Sequence, residues 1–307
     1  MRAVADRKPT REQFTDSALV NTYKLGSLAA RVMPGPFASA TASMIGLGMS
    51  NSMRDKRSMV ERHLRRVDPS LRGLALRQAV QQSFDSYARY YVDSFRLPLL
   101  SARTVDAGFT TEGLHSVDDA IAAGTGVILA LPHLGGWEWA GRWLVERGHR
   151  MTVVVEPLEP PELFEWFKDL REGLGMKVVP LGPRVAGTVL KALADNQVVC
   201  LLCDRDLERT GIRVEFFGEE TTLPAGPAML SIRSGAPLVP VGVYFTPRYN
   251  GHHAVVRPPL PIERTGRLRD DVAAATQMLA HELEYLIRRA PEQWHMFQPN
   301  WPSDPGY

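Results

Sequence analysis

From about residue 105 onward, short aliphatic runs alternate with segments of helical periodicity, and no other feature constrains the fold as much. The runs fall at 127–131, 151–155, 177–180, 198–203, 238–245 and 253–256. Helix-like segments lie between them at 116–123, 137–146, 161–174, 185–195, 224–234 and 270–289. A strand apolar at nearly every position is covered on both faces, as strands of parallel sheets are. The pattern predicts an α/β domain: a mixed, mostly parallel sheet flanked by helices on both faces.

The first hundred residues differ. Residues 20–100 read as three or four helices, with many arginines between apolar blocks. Residues 1–20 are polar and mixed in charge, and read as a mobile start rather than a signal peptide. The expected organisation is a helical region, 1–104, ahead of an α/β core, 105–307, the two forming one compact unit. The stretch 25–49 comes nearest to a membrane span, but Pro34-Gly35-Pro36 breaks it into two short apolar helices. Behind it, 53–66 is a basic helix, and 77–95 sets Val80, Phe84, Tyr87, Tyr91 and Phe95 on one apolar face. Cationic helices beside apolar ones suit an anionic membrane surface; plain packing on the core is the alternative. A formal net charge of +2 gives no argument for nucleic acid, and no protein partner is inferred. Cys200 and Cys203 sit inside an aliphatic run without a second cysteine pair. They read as buried core thiols in a reducing compartment rather than a zinc or redox site. The tail 294–302, aromatic and proline-rich, reads as docked irregular chain.

The run 127–131 ends in Pro132-His133-Leu134-Gly135-Gly136-Trp137-Glu138. A histidine at the carboxyl end of a central strand stands where open α/β sheets place their chemistry. The five-residue interval to an acid is not distinctive, because His63 and Asp68 repeat it within a basic helical stretch. That copy, with no strand before it and no glycine inside it, reads as coincidence. On a regular helix five positions turn about 500°, leaving the two side chains about 140° apart. A cooperating pair therefore needs a turn between its members, and Gly135 and Gly136 offer one. Two local readings remain. Glu138 fixes the tautomer of His133 as a general base, or His133 is a structural histidine and Glu138 caps a helix. The chain has no Gly-x-Ser-x-Gly elbow and no glycine-rich phosphate loop. A metal would need more ligands than His133 and Glu138. A histidine–acid pair without a nucleophile suits direct attack by an acceptor hydroxyl on an activated acyl donor.

The block 131–141 resembles the His-x4-Asp/Glu motif of the lysophospholipid acyltransferase superfamily. The chain is most similar to the branch holding lipid A late acyltransferases and actinobacterial phosphatidylinositol mannoside acyltransferases. Further matches follow in order: Arg171 within Phe167-Lys168-Asp169-Leu170-Arg171-Glu172-Gly173, then Cys203-Asp204-Arg205-Asp206, Val214-Glu215-Phe216-Phe217-Gly218, and Leu223-Pro224-Ala225-Gly226-Pro227. Asp204-Arg205-Asp206-Leu207 and Trp294-His295-Met296-Phe297-Gln298 resemble the mannoside enzymes. Glu138 stands where those usually carry Asp, a departure toward the lipid A branch.

The resemblance, covering roughly 125–300, implies a glycerolphosphate acyltransferase-like fold. It also implies transfer of a long acyl chain from acyl-CoA to a hydroxyl of a membrane glycolipid at the cytoplasmic face of the membrane. The implied acceptor is a phosphatidylinositol mannoside, with a lipid A precursor as alternative, and no metal or redox cofactor is implied. His133 becomes the candidate base and Glu138 its orienter. Arg171 is a candidate for a substrate phosphate or the developing oxyanion. Asp204 is a candidate anchor to Arg171 or His133, or a cap of the following turn. Arg205 is a candidate phosphate contact; Glu156 and, less centrally, Glu208 are candidates for the acceptor pocket. Phe217 belongs to an acyl groove or to the core, and Phe216 to the core. Two readings of other classes remain: a metal-dependent hydrolase with His133 and Glu138 as ligands, and a noncatalytic lipid carrier.

Overall fold

The computed structural model describes residues 11–307, without the side chains of residues 11–15 and 18. Residues 1–10 of the expected mobile start lie outside the described residues; residues 11–20 are helical, which corrects that expectation. Helices α1 (Arg11–Arg31), α2 (Gly35–Ser52), α3 (Arg54–Val67), α4 (Gly73–Arg96) and the short α5 (Ala102–Ala107) come first. The alternating part follows as β1 (Phe109–Glu112), α6 (His115–Ala122), β2 (Val127–Leu131), α7 (Trp137–Glu146), β3 (Met151–Val155), α8 (Pro161–Glu172), β4 (Met176–Pro180), α9 (Val185–Ala194) and β5 (Val198–Leu202). Next come a hairpin of β6 (Ile212–Phe216) and β7 (Glu219–Leu223), then α10 (Gly226–Ser234), β8 (Leu238–Phe245), β9 (His252–Val256) and α11 (Leu268–Arg288).

The main sheet has the order β1-β9-β8-β2-β5-β3-β4. Every neighbouring pair is parallel except β8–β9. Alternate residues of β2 feed two cores: Val127, Leu129 and Leu131 enter a cluster with α7 and α8, whereas Ile128 and Ala130 face α9 and α11. Helices thus cover both faces, as the aliphatic runs predict. The strand β1 and the hairpin were not anticipated. Neither carries an aliphatic run: β1 is Phe-Thr-Thr-Glu on a sheet edge, and β6 alternates buried and exposed residues.

The apolar stretch at 25–49 is divided as expected, with Pro34 as N-cap of α2 and a proline in its first turn. What packs inward is unusual. The small residues Ala38, Ala42, Gly46 and Ser50, spaced four apart, form the buried face of α2. A Cβ at Gly46 would lie 2.7 Å from the Cα of Asp85 on α4, so the two backbones touch. Phe37, Met44, Ile45 and Leu47 are left exposed.

Candidate active site

The site follows from one register. Strands β2 and β5 are parallel neighbours with Leu131 opposite Leu202. His133 and Asp204 each lie two residues beyond that pair, so the sheet delivers them side by side at its carboxyl edge. Nδ1 of His133 lies 2.6 Å from Oδ1 of Asp204, and the backbone N–H of His133 donates to Oδ2 at 2.9 Å. The indole N–H of Trp294 donates to the same Oδ2 at 2.7 Å. Asp204 is fully buried. Burial alone would raise its carboxyl, but the His133 charge and these hydrogen bonds outweigh it and hold the group below the usual carboxylate range. An ionised Asp204 only accepts, so Nδ1 of His133 carries a hydrogen, and in the neutral ring the lone pair is then on Nε2. A quarter of the His133 side chain reaches solvent.

The expected pairing of His133 with Glu138 is therefore corrected. Among the described residues the two share no hydrogen bond or ion pair. Glu138, in the first turn of α7 and 2% exposed, accepts from the Tyr90 hydroxyl at 2.6 Å and from Arg171 at 3.0 Å. Its other oxygen is buried without a partner. Burial pushes the Glu138 carboxyl up, with Arg171 and Tyr90 opposing. The two glycines also serve a different purpose from the one expected. At Gly135, with φ +58°, a Cβ would run into the Val243 carbonyl, and at Gly136 it would lie 2.7 Å from the His252 ring. They let the turn lie flat on β8 and β9 rather than swing an acid toward His133.

Arg171 is likewise not a free phosphate clamp. Its Nη2 donates to Glu138, its Nε is buried without a hydrogen-bond partner, and the guanidinium lies over the rings of Trp137 and Phe167, at 5.0 and 5.5 Å from the centroids. Asp204 takes the His133 option of its expected roles, not the Arg171 one. Arg205 and Glu156, which follow β5 and β3, form a half-exposed ion pair on the same edge. Glu208 stands on an exposed turn with no hydrogen bond or ion pair among the described residues, so the structure does not bring it to the others. Phe217 is core: it is buried against Phe216, Trp294 and Trp301, which removes the groove reading. Cys200 and Cys203 are free buried thiols, with burial pushing Cys200 up to about 12. Among the described residues no group of three histidine, cysteine or carboxylate side chains converges as metal ligands.

Sequence reasoning missed Tyr90, Trp294, His295 and Asn300. Trp294 and Tyr90 have the contacts just given, and Asn300 donates its amide to the Asp204 carbonyl at 3.0 Å. His295 donates its backbone N–H to the His133 carbonyl at 2.8 Å. Burial, then the His133 charge, press the His295 ring down to about 3, so it stays neutral near pH 7. Beneath the turn, an apolar seam with about 30 Å³ of free volume runs between α7 and the sheet, past Leu129, Leu131, Trp137, Ala140 and Trp143.

Comparison with known proteins bears on this geometry. A family profile described as bacterial lipid A biosynthesis acyltransferase matches residues 9–303. Over 229 residues the chain is 44% identical to a phosphatidylinositol mannoside acyltransferase of Mycobacterium tuberculosis (strain H37Rv), covering 72% of this chain and 70% of that one. It is 37% identical over 310 residues to a protein of the same name from Mycolicibacterium smegmatis, covering 98% and 96%. A lipid A biosynthesis acyltransferase of Haemophilus influenzae is 24% identical over 257 residues, covering 81% and 77%.

Proposed function

Because the chain belongs to the bacterial lipid A biosynthesis acyltransferase family and is an acyltransferase, we propose that it moves a long acyl group from acyl-CoA to a hydroxyl of a phosphatidylinositol mannoside, with His133 as general base. The observation that carries the mechanism is the 2.6 Å contact between Nδ1 of His133 and Asp204, which leaves Nε2 as the basic nitrogen of a side chain a quarter open to solvent. Nε2 takes the proton of the acceptor hydroxyl as its oxygen bonds to the thioester carbonyl carbon. The tetrahedral intermediate then expels the thiolate of coenzyme A, and the imidazolium returns the proton to sulfur. Asp204 stabilises the imidazolium between the two steps. The thioester brings its own activation, so the reaction calls on no metal or redox cofactor. Arg205 and Glu156, half exposed on the same edge, are the proposed polar contacts to the substrates. Glu138 supports the site from below through Arg171 and Tyr90. The mannoside acceptor is favoured by 44% and 37% identity to proteins of that name, against 24% for the lipid A enzyme.

The test is His133→Ala assayed with palmitoyl-CoA and mannosylated phosphatidylinositol in detergent, with a lipid A precursor in parallel. A loss of about 10²–10⁴-fold is expected, the usual effect of removing a positioned base. A normal rate would remove His133 from the chemistry, and transfer to the lipid A precursor alone would overturn the acceptor.

The proposed place of work is the cytoplasmic face of the membrane, held peripherally. Among the described residues no helix is long and apolar enough to cross a bilayer. The end of α1, the turn after it and the outer face of α2 nevertheless expose Leu28, Val32, Phe37, Met44 and Leu47. Arg54 and Lys56 of α3 are exposed close behind in the chain. Large apolar side chains turned outward, with cations near them, fit an anionic lipid interface. The triple variant Val32→Glu, Phe37→Glu, Met44→Glu should co-sediment with anionic phospholipid vesicles at least about tenfold more weakly. Unchanged binding would overturn this attachment.

A further inference from the structure

The segment after α11 has almost no regular structure, yet Trp294 is 3% exposed and Trp301 is fully buried. Irregular buried chain must find partners for its polar groups, and here the active-site turn supplies many of them. Leu134 and Trp294 form an antiparallel bridge, flanked by Gly135 N–H donating to the Gln293 carbonyl at 3.0 Å and His295 N–H donating to the His133 carbonyl at 2.8 Å. The turn carrying His133 is thus paired with a strap from the far end of the chain. Two strap side chains then reach past His133 to Asp204. Trp294 donates to carboxylate Oδ2 at 2.7 Å, and Asn300 donates to the backbone carbonyl at 3.0 Å.

Asp204 needs such restraint. It lies two residues past the end of β5 in a bend, outside any helix or strand, and the terminal torsion of an aspartate is a broad rotor. With Trp294 and the His133 backbone both on Oδ2, Oδ1 is the oxygen left to meet Nδ1 of His133. We infer that Trp294 and Asn300 are positioning residues for acyl transfer, holding Asp204 in the one orientation that aligns His133. The inference rests on the His133–Asp204 reading of the mechanism. The titratable groups that interact with Asp204 include His133 on the turn, Cys203 just past β5 and His295 on the strap. Burial keeps Cys203 a thiol and His295 neutral near pH 7, so neither of these two adds a limb to a rate profile there.

Trp294→Phe keeps an aromatic ring against Phe216, Phe217 and His63 and removes the donor. It should lower kcat about 10- to 100-fold, the worth of a hydrogen bond to a charged group. The KM values for donor and acceptor should stay within about twofold of the wild type. Relieved of one donor, Asp204 is the stronger base toward the imidazolium, so the acidic limb of the kcat/KM profile should move to higher pH. In a His133→Ala background the same substitution should change the residual rate less than about twofold, because Trp294 acts through His133. Trp301→Phe is the control, since its indole N–H donates to the Phe216 carbonyl at 3.0 Å on the same strap. It should lower Tm and leave the acidic limb in place. Should Trp294→Phe fail to fold, Asn300→Leu carries the same test through the Asp204 carbonyl. An unmoved limb with kcat within about twofold, or an equal loss with and without His133, would overturn the inference. If His133→Ala itself retained full activity, the underlying mechanism would fall instead.

Discussion

Among the described residues two histidine–aspartate pairs are joined by hydrogen bonds, and their difference separates a base from a brace. His63, on α3, meets Asp304 through Nε2 at 3.1 Å, and its Nδ1 faces the Met296 carbonyl at 3.0 Å. Both ring nitrogens are occupied and the side chain is 2% exposed. His133 gives only Nδ1 to Asp204 and keeps a quarter of its side chain open. Each histidine is followed five residues later by an acid, and neither uses it. Asp68 accepts from the backbone and hydroxyl of Ser70, while Glu138 holds Tyr90 and Arg171. The partners come from 241 and 71 positions away. Proton transfer needs a free nitrogen within reach of substrate, so identical chemistry in a sealed pocket can only stabilise.

The largest effect should come from exchanging one carboxylate at a time for an amide. Asp204→Asn leaves the shape but offers His133 a partner unable to stabilise the imidazolium, and kcat should fall by about 10²–10⁴-fold. Asp304→Asn should instead act on stability, lowering the urea midpoint while the pH profile of the remaining activity keeps its shape. Equal kinetic losses from both substitutions would erase the distinction.

Much of this was legible in the sequence, for identifiable reasons. Aliphatic runs revealed β2 and β5, and His133 and Asp204 stand two residues past their ends. The partner of His133 was not settled, because strand order is a long-range property: nothing local says that β5 rather than β3 lies beside β2. Glu138 was expected as the orienter because it is near in sequence, whereas the sheet edge joins residues that are far apart. Trp294 gave one unused signal. A buried indole N–H requires an acceptor, and a proline-rich tail without regular structure has few of its own. The exposed face of α2 was legible only as a choice, since apolar spacing alone does not tell a core face from a lipid face.

A second test asks whether Glu138 belongs with the working pair or with the brace. Glu138→Gln leaves the Arg171 guanidinium buried and uncompensated, which should cost about 3–5 kcal/mol of stability in urea unfolding. Adding Arg171→Gln should recover part of that loss, because the second substitution removes the stranded charge. If Glu138→Gln instead kept its stability and lost activity as Asp204→Asn does, Glu138 would be orienting His133 after all.

The smallest effect is the acid dependence of the brace. Burial would raise the Asp304 carboxyl, but hydrogen bonds from His63 and the Asn300 backbone, with the charges of His63 and Arg66, hold it well below the usual carboxylate range. A carboxyl depressed in the folded state contributes stability that is complete above its unfolded value and is lost as pH falls toward its folded one. Unfolding free energy should therefore decline as the solution is taken below about pH 3.9, the unfolded aspartate value. Asp204, also depressed, contributes in the same direction. Asp304→Asn should make that decline shallower and cost about 1–3 kcal/mol at neutral pH, the usual loss for a buried hydrogen-bonded group. Urea titrations at pH 7, 5 and 3 would measure both. If the variant's decline between pH 5 and 3 matched that of the wild type, the His63–Asp304 contact would not be the acid-sensitive brace, and the contrast with the half-buried His133 would lose its stabilising half.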